Sequence, residues 1–261
     1  VKYKILILLS FFSVALRAQT ICRTDIMNNE ELIPANRIEQ FITYNFSNLW
    51  LKTDNDLIYG IIGDEHQRIL IKILKVTQHP DHPEEYLIKG KSSVKGNVCD
   101  FNGKITIQEI RESKRTHFGV DNEFKDKGIN TQGLLTAKYE FLEDKSQKHP
   151  GTFYGILKTK WYLDKNDKMV YDDINIASDG YFNNAFVGKW KSYQSKAGKR
   201  CNWADYRVPD SNCDFDIGTG EFNVSEKYFK NGWFGIALKN KMPNGAIIES
   251  KDARAQKSWW Q

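Results

Sequence analysis

The sequence lacks the short motifs that announce an enzyme. It holds no Gly-x-Ser-x-Gly elbow, no His-Glu-x-x-His pair and no phosphate loop. Its five histidines are scattered at His66, His79, His82, His117 and His149, and its four cysteines show no Cys-x-x-Cys spacing. Zinc ligation needs such clusters, so zinc has no sequence support, and no cofactor is expected. Proline is scarce, at six residues, and no Pro/Gly/Ser linker or low-complexity tract divides the chain. A single domain follows. Beyond the N-terminus no apolar run reaches the roughly 20 residues that a membrane-spanning helix requires. No basic stripe of the kind that binds nucleic acid stands out, the longest local cluster being Arg111 to Arg115 with a glutamate inside it.

What is present begins at the N-terminus. Lys2 and Lys4 precede a nearly uncharged apolar stretch, Ile5 to Leu16, and Arg17-Ala18-Gln19 follows. That layout predicts a secretory signal over residues 1–18, and hence a secreted or periplasmic mature protein. Lys2, Lys4 and Arg17 account for three of the 38 basic residues, leaving 35 against 33 acidic ones. The mature chain is thus close to neutral. In an oxidising compartment the even cysteine count predicts two disulfides. Cys201 and Cys213 flank a turn-rich segment that is easy to close, and Cys22 and Cys99 are left to pair with each other.

With 40% hydrophobic and 13% aromatic residues the chain can build a substantial core. The pattern is that of strands. Arg68–Gln78, Tyr86–Val94, Val98–Ser113, Gly133–Leu142, Thr152–Leu163, Met169–Ile176, Asn184–Tyr193 and Cys201–Val208 are β-rich and separated by turn signals such as His79-Pro80-Asp81-His82-Pro83 and Gly96-Asn97. The third of these is one long strand or, with Asn102-Gly103 as a hairpin signal, two short ones. Helical spacing is confined to Ala35–Trp50 and Ser225–Lys230. The expected architecture is all-β, an antiparallel meander closed or partly closed into a barrel of about eight strands. The expected organisation is an N-terminal segment with a possible helix over 19–56, the meander over 57–208, and a C-terminal loop and short helix over 209–261 packed on the same domain.

Phe-x-Gly-x-apolar recurs at Phe101-Gly103-Ile105, Phe153-Gly155-Leu157 and Phe186-Gly188-Trp190. Alternate residues share a strand face, so each triplet points one way, with glycine marking a bend where a sheet curls. The same alternation puts Phe153, Leu157, Thr159 and Trp161 inside and Lys158 and Lys160 outside. It likewise puts Phe186, Trp190 and Ser192 inside and Lys189 and Lys191 outside. Phe153, Trp161, Phe186 and Trp190 are therefore the candidate ligand-binding residues. Two readings stand: the inward tryptophans form a stacking platform for a ligand, or they fill a solid core.

Asp214-Phe-Asp216-Ile-Gly218-Thr-Gly220-Glu221 alternates carboxylates with glycine and suggests either a calcium loop or a glycine-rich turn, without the spacing of an EF-hand. Asp172, Asp173 and Asp205 are carboxylates that a glycoside hydrolase could pair, but their separation is not legible in one dimension.

Gly188-Lys-Trp190 on a strand of an exported meander resembles the calycin group, the lipocalins and avidin-like barrels. The stretch from Tyr59 to Trp233 also resembles secreted bacterial β-barrel proteins of no assigned activity. The calycin resemblance implies a binding protein that holds a small hydrophobic or glycan ligand in the barrel. The alternative is a structural or protein-interaction module at the cell surface or in the periplasm, and the third is an exported hydrolase. Binding is favoured over catalysis, and the expected partner is a small molecule or a protein.

Overall fold

The structure, a computed structural model, describes residues 20–236 and 259–261. The expected signal segment, 1–18, lies outside the described residues. Among the described residues nine strands form: β1 (Ile58–Ile62), β2 (Gln67–Gln78), β3 (Glu85–Val94), β4 (Asn97–Glu112), β5 (Thr131–Glu143), β6 (Gly151–Leu163), β7 (Met169–Tyr171), β8 (Asn183–Ser192) and β9 (Lys199–Asp205). All pairings are antiparallel, and β1 pairs with both β2 and β9. β5 pairs with β6, and β6 with β8. Eight strands therefore close into a barrel, while β7 adds a short ladder beside the end of β6. Closure leaves the wall with no free edge.

The glycines of the recurring triplets explain how the wall curls. Gly155 and Gly188 face each other across β6 and β8. A Cβ on Gly155 would stand 2.2 Å from the Val187 carbonyl oxygen, and one on Gly188 would stand 2.1 Å from that of Tyr154. At Gly103 the distance to the Glu140 oxygen would be 2.0 Å. Only a residue without a side chain lets the strands approach this closely. Asn102-Gly103 is consequently not a turn: β4 runs unbroken through it for 16 residues. The expected strand Met169–Ile176 is cut to three residues because the chain leaves the wall after Tyr171 and loops over it.

The interior is packed with rings. Trp203 stacks on Phe186 at 4.6 Å between centroids, Phe101 stacks on Phe141 at 5.0 Å, and Tyr139 and Phe153 meet Trp203 at 5.3 and 5.9 Å. At the end where β1 begins, residues 38–50 enter the barrel as a plug. It consists of α1 (Ile38–Phe41) and a 3₁₀ turn, Ser47–Trp50, in place of the longer helix expected over Ala35–Trp50. Phe41 packs on Trp161 at 4.8 Å and Trp50 meets Tyr86 edge-on. Polar clasps fix the plug: Trp50 Nε1 donates to Thr159 Oγ1, the Phe46 amide to the Tyr86 hydroxyl, and Asn184 Nδ2 to the Leu49 carbonyl.

Two outer layers cover parts of the wall. Ile26 and Leu32 of the N-terminal segment lie with Leu134, Phe182, Ala185 and Ala204. The C-terminal segment packs Phe215, Phe222, Val224, Tyr228 and Trp233 against Tyr59 and Ile61 of β1. One disulfide, Cys22–Cys213, joins the two layers. The expected Cys201–Cys213 and Cys22–Cys99 pairs do not form. Cys201 points into the barrel from β9 and Cys99 is buried on β4, and both are free thiols. The N-terminal strip instead runs beside the 211–213 loop, where the Cys22 and Cys213 amides donate to the Ser211 and Thr20 carbonyls.

Candidate functional site

The barrel contains the four residues that the strand alternation singles out, but it does not gather them. Phe153, Phe186 and Trp161 are buried in the core. Phe153 pairs in register with Trp190, whereas Trp161 lies eight residues further along β6, roughly 26 Å away at strand rise. Trp161 and Trp190 therefore sit at opposite ends and share no surface. Trp161 is closed over by Phe41, and Trp190 is held by Glu143, whose carboxylate accepts its indole N–H at 2.9 Å.

Glu143 is a residue that sequence reasoning missed. It ends β5, is buried, and also accepts from the Gly151 amide at 2.8 Å and from the Ser92 hydroxyl. Burial raises its pKa, while those three donors pull the other way. It sits where the β5–β6, β8–β9 and β3–β4 hairpins meet, as a structural knot.

The plug end holds a second buried acid. Asp205 Oδ2 accepts from Thr53 Oγ1, the Tyr171 hydroxyl and Asn184 Nδ2, each at 2.8 Å. Burial pushes its pKa up to about 7 against the pull of those donors. Beside it, between Trp50, Ile71, Asn184 and Trp203, is a cavity of about 20 Å³, room for a single water. Asp172 follows β7 directly, next to Tyr171, and its Oδ1 accepts the Ile174 amide at 3.2 Å rather than joining this cluster. Asp172 and Asp205 do not converge on an open cleft.

Lys160 departs from the alternation-based expectation. It is on the outer face of β6, yet it is 9% exposed, because the loop after β7 folds over it and sets the Tyr181 ring 4.1 Å from its ammonium. Burial lowers its pKa to about 8, with the Asp172 charge opposing.

The Asp214–Glu221 segment is a turn wrapped around a cation that the protein supplies itself. The Arg207 guanidinium pairs with Asp216 and donates to the carbonyls of Gly218, Thr219 and Gly220. Asp216 Oδ1 accepts the Gly218 and Asn223 amides. Asp214 accepts from Lys227 and Tyr228. A second cavity, about 170 Å³, opens beside the disulfide between Thr24, Phe182, Arg207 and Pro209.

The chain matches no protein-family model, no curated protein and no solved structure. The eight-stranded antiparallel barrel is compatible with the architecture that the calycin resemblance implies. The Gly188-Lys-Trp190 of that resemblance lies on β8, the seventh wall strand in chain order.

Proposed function

We propose that this protein is an exported binding module that meets its partner on the outside of a filled barrel. The observation that carries this reading is the closed lumen. The ring stack Phe186–Trp203, with Tyr139, Phe141 and Phe153 around it, occupies the volume where a calycin ligand would lie. The cavity beneath the plug is about 20 Å³, against roughly 300 Å³ or more for an ordinary small-ligand pocket. A wall locked by eight strands, two covering layers and a disulfide is a rigid scaffold, and rigidity lowers the entropy lost when a partner docks on it. Among the described residues no helix is long and apolar enough to cross a membrane. The disulfide supports export, since such bonds persist in oxidising compartments.

Titration with a fluorescent fatty acid and with a neutral oligosaccharide tests the reading directly. The expected result is no saturable binding and no change in tryptophan emission. Stoichiometric binding that quenches the core tryptophans would overturn it.

A further inference from the structure

The end of the barrel opposite the plug is strongly and asymmetrically charged. Of the four hairpins there, β1–β2 carries Asp64 and Glu65 and the other three are basic. Lys95 lies in the β3–β4 hairpin, Lys145 and Lys148 in β5–β6, and Lys191, Lys196 and Lys199 in β8–β9, all exposed. Residues 189–200 alone hold five basic side chains and no acid.

These hairpins form one continuous surface. The Asn97 side chain donates to the Lys148 carbonyl, and the Asp100 amide to Gln147. The Tyr193 amide donates to the Pro150 carbonyl, its hydroxyl donates to the Glu143 carbonyl, and Lys145 lies over its ring at 5.4 Å. The acids of these three hairpins are few. Glu143 is buried with its pKa raised, Asp100 pairs with Lys91 at 3.2 Å, and exposed Asp144 accepts from the Ser146 amide and hydroxyl. Tyr154 and Tyr193 stand among the lysines with 40% and 38% of their surface exposed.

We propose that this three-hairpin face docks an acidic polysaccharide, a chain of sugars bearing carboxylate or sulfate groups. This rests on the outer-face reading above and names its surface and its partner. Charge complementarity requires a polyanion. The hairpin tips at Lys95-Gly96, Ser146–His149 and Gln194–Gly198 carry no large apolar side chain to insert into a bilayer. The cations are almost all lysines, flexible point charges that attract a polyanion without demanding one anion geometry. Half-exposed tyrosine rings flanked by hydroxyl and amide groups suit the faces and hydroxyls of sugars.

The test is calorimetric titration of the protein with heparin and with polygalacturonate, at low and physiological ionic strength, beside neutral dextran, anionic vesicles and duplex DNA. A quadruple variant, Lys145→Gln, Lys191→Gln, Lys196→Gln and Lys199→Gln, is compared with a control of the same charge change away from these hairpins. That control is Lys125→Gln, Lys127→Gln, Lys165→Gln and Lys168→Gln. We expect wild type to bind at least one of the two polysaccharides, with affinity falling as salt rises. The hairpin variant should bind about tenfold more weakly with a shallower salt slope, and the control should match wild type. Unchanged thermal melts keep a folding defect out of the comparison. Equal losses in both variants, no binding to either polysaccharide, or tighter binding to vesicles or DNA would overturn the proposal. Those failures leave the lumen closed to fatty acid, so they are distinguishable from failure of the outer-face reading itself.

Discussion

His66 and Asn212, 146 residues apart, share a buried hydrogen bond in which His66 Nε2 accepts the Asn212 amide proton at 3.1 Å. The other ring nitrogen, Nδ1, lies 2.8 Å from the Asp64 carbonyl and donates to it. That pairing assigns a neutral imidazole with its proton on Nδ1. The β1–β2 turn is thereby tied to the loop that carries the disulfide.

A pH dependence follows from this pair and from Asp205. Burial lowers the His66 pKa to about 4 from 6.5, so between those values the folded state binds fewer protons than the unfolded state. Stability from this group is complete above about 6.5 and is lost as pH falls toward 4. Asp205 acts in the opposite sense. Its pKa, raised from 3.8 to about 7, makes the folded state the better proton binder in that window, and stability falls as pH rises through it. Each group contributes a slope of at most ~1.4 kcal/mol per pH unit. In wild type the two partly cancel. Urea unfolding between pH 4 and 7 should show stability rising more steeply with pH in Asp205→Asn, and falling more steeply in His66→Gln. Identical slopes in all three proteins would refute the assignment.

The disulfide should be found by non-reducing peptide mapping as Cys22–Cys213, with Cys99 and Cys201 free. Both thiols are buried, so thiol reagents should reach them only after unfolding. The Cys22→Ser, Cys213→Ser double variant releases a loop spanning 191 residues. Chain entropy sets its cost at about 5 kcal/mol. A linked Cys201–Cys213 peptide would contradict the structure.

The two tryptophans at opposite ends should respond differently to substitution by phenylalanine. Trp190→Phe removes the indole donor from Glu143, a hydrogen bond to a buried acid worth roughly 1.5–3 kcal/mol. Trp161 Nε1 is buried and has no hydrogen-bond partner among the described residues. Trp161→Phe therefore loses ring contacts while relieving an unmet donor, and should cost less. Denaturant midpoints ranked the other way would rule this account out.

Glycine substitutions separate close approach from backbone conformation. A side chain on Gly155 would collide with the β8 backbone, so Gly155→Ala should cost ~3 kcal/mol, the upper end for overpacking, or prevent folding. Gly96, at φ 79°, has open space around it. Alanine there should cost about 1 kcal/mol from left-handed strain alone. Thermal melts of the two variants give the comparison.

Export is tested by mass. If residues 1–18 are a signal, protein recovered from the host envelope or medium should lack them. A secreted chain retaining Lys2 and Lys4 would contradict the reading.

Strand identity was legible in the sequence because it is a local property. Period-two alternation along Thr152–Leu163 sorts Phe153, Leu157 and Trp161 inward whatever their neighbours. The glycine triplets likewise mark the bends of the wall. Whether Asn102-Gly103 turns or runs on was left open by the local pattern and is decided by β5, which lies close enough for Gly103 to serve as an approach point, a constraint no four-residue window contains. Nor did local pattern reveal which elements lie over the wall. Lys160 reads as a solvent-facing lysine and is buried only because the loop after β7 returns across it. Cys201 and Cys213 are neighbours in sequence and are separated by the wall, while Cys22 arrives from the far end of the chain. The basic hairpin face has the same origin. Lys95, Lys148 and Lys196 belong to three distant segments of a nearly neutral chain, and barrel closure alone brings them to one end. Sequence determines periodicity and side-chain chemistry residue by residue; adjacency across 50 to 190 residues is settled by which strands hydrogen-bond and which layers cover them.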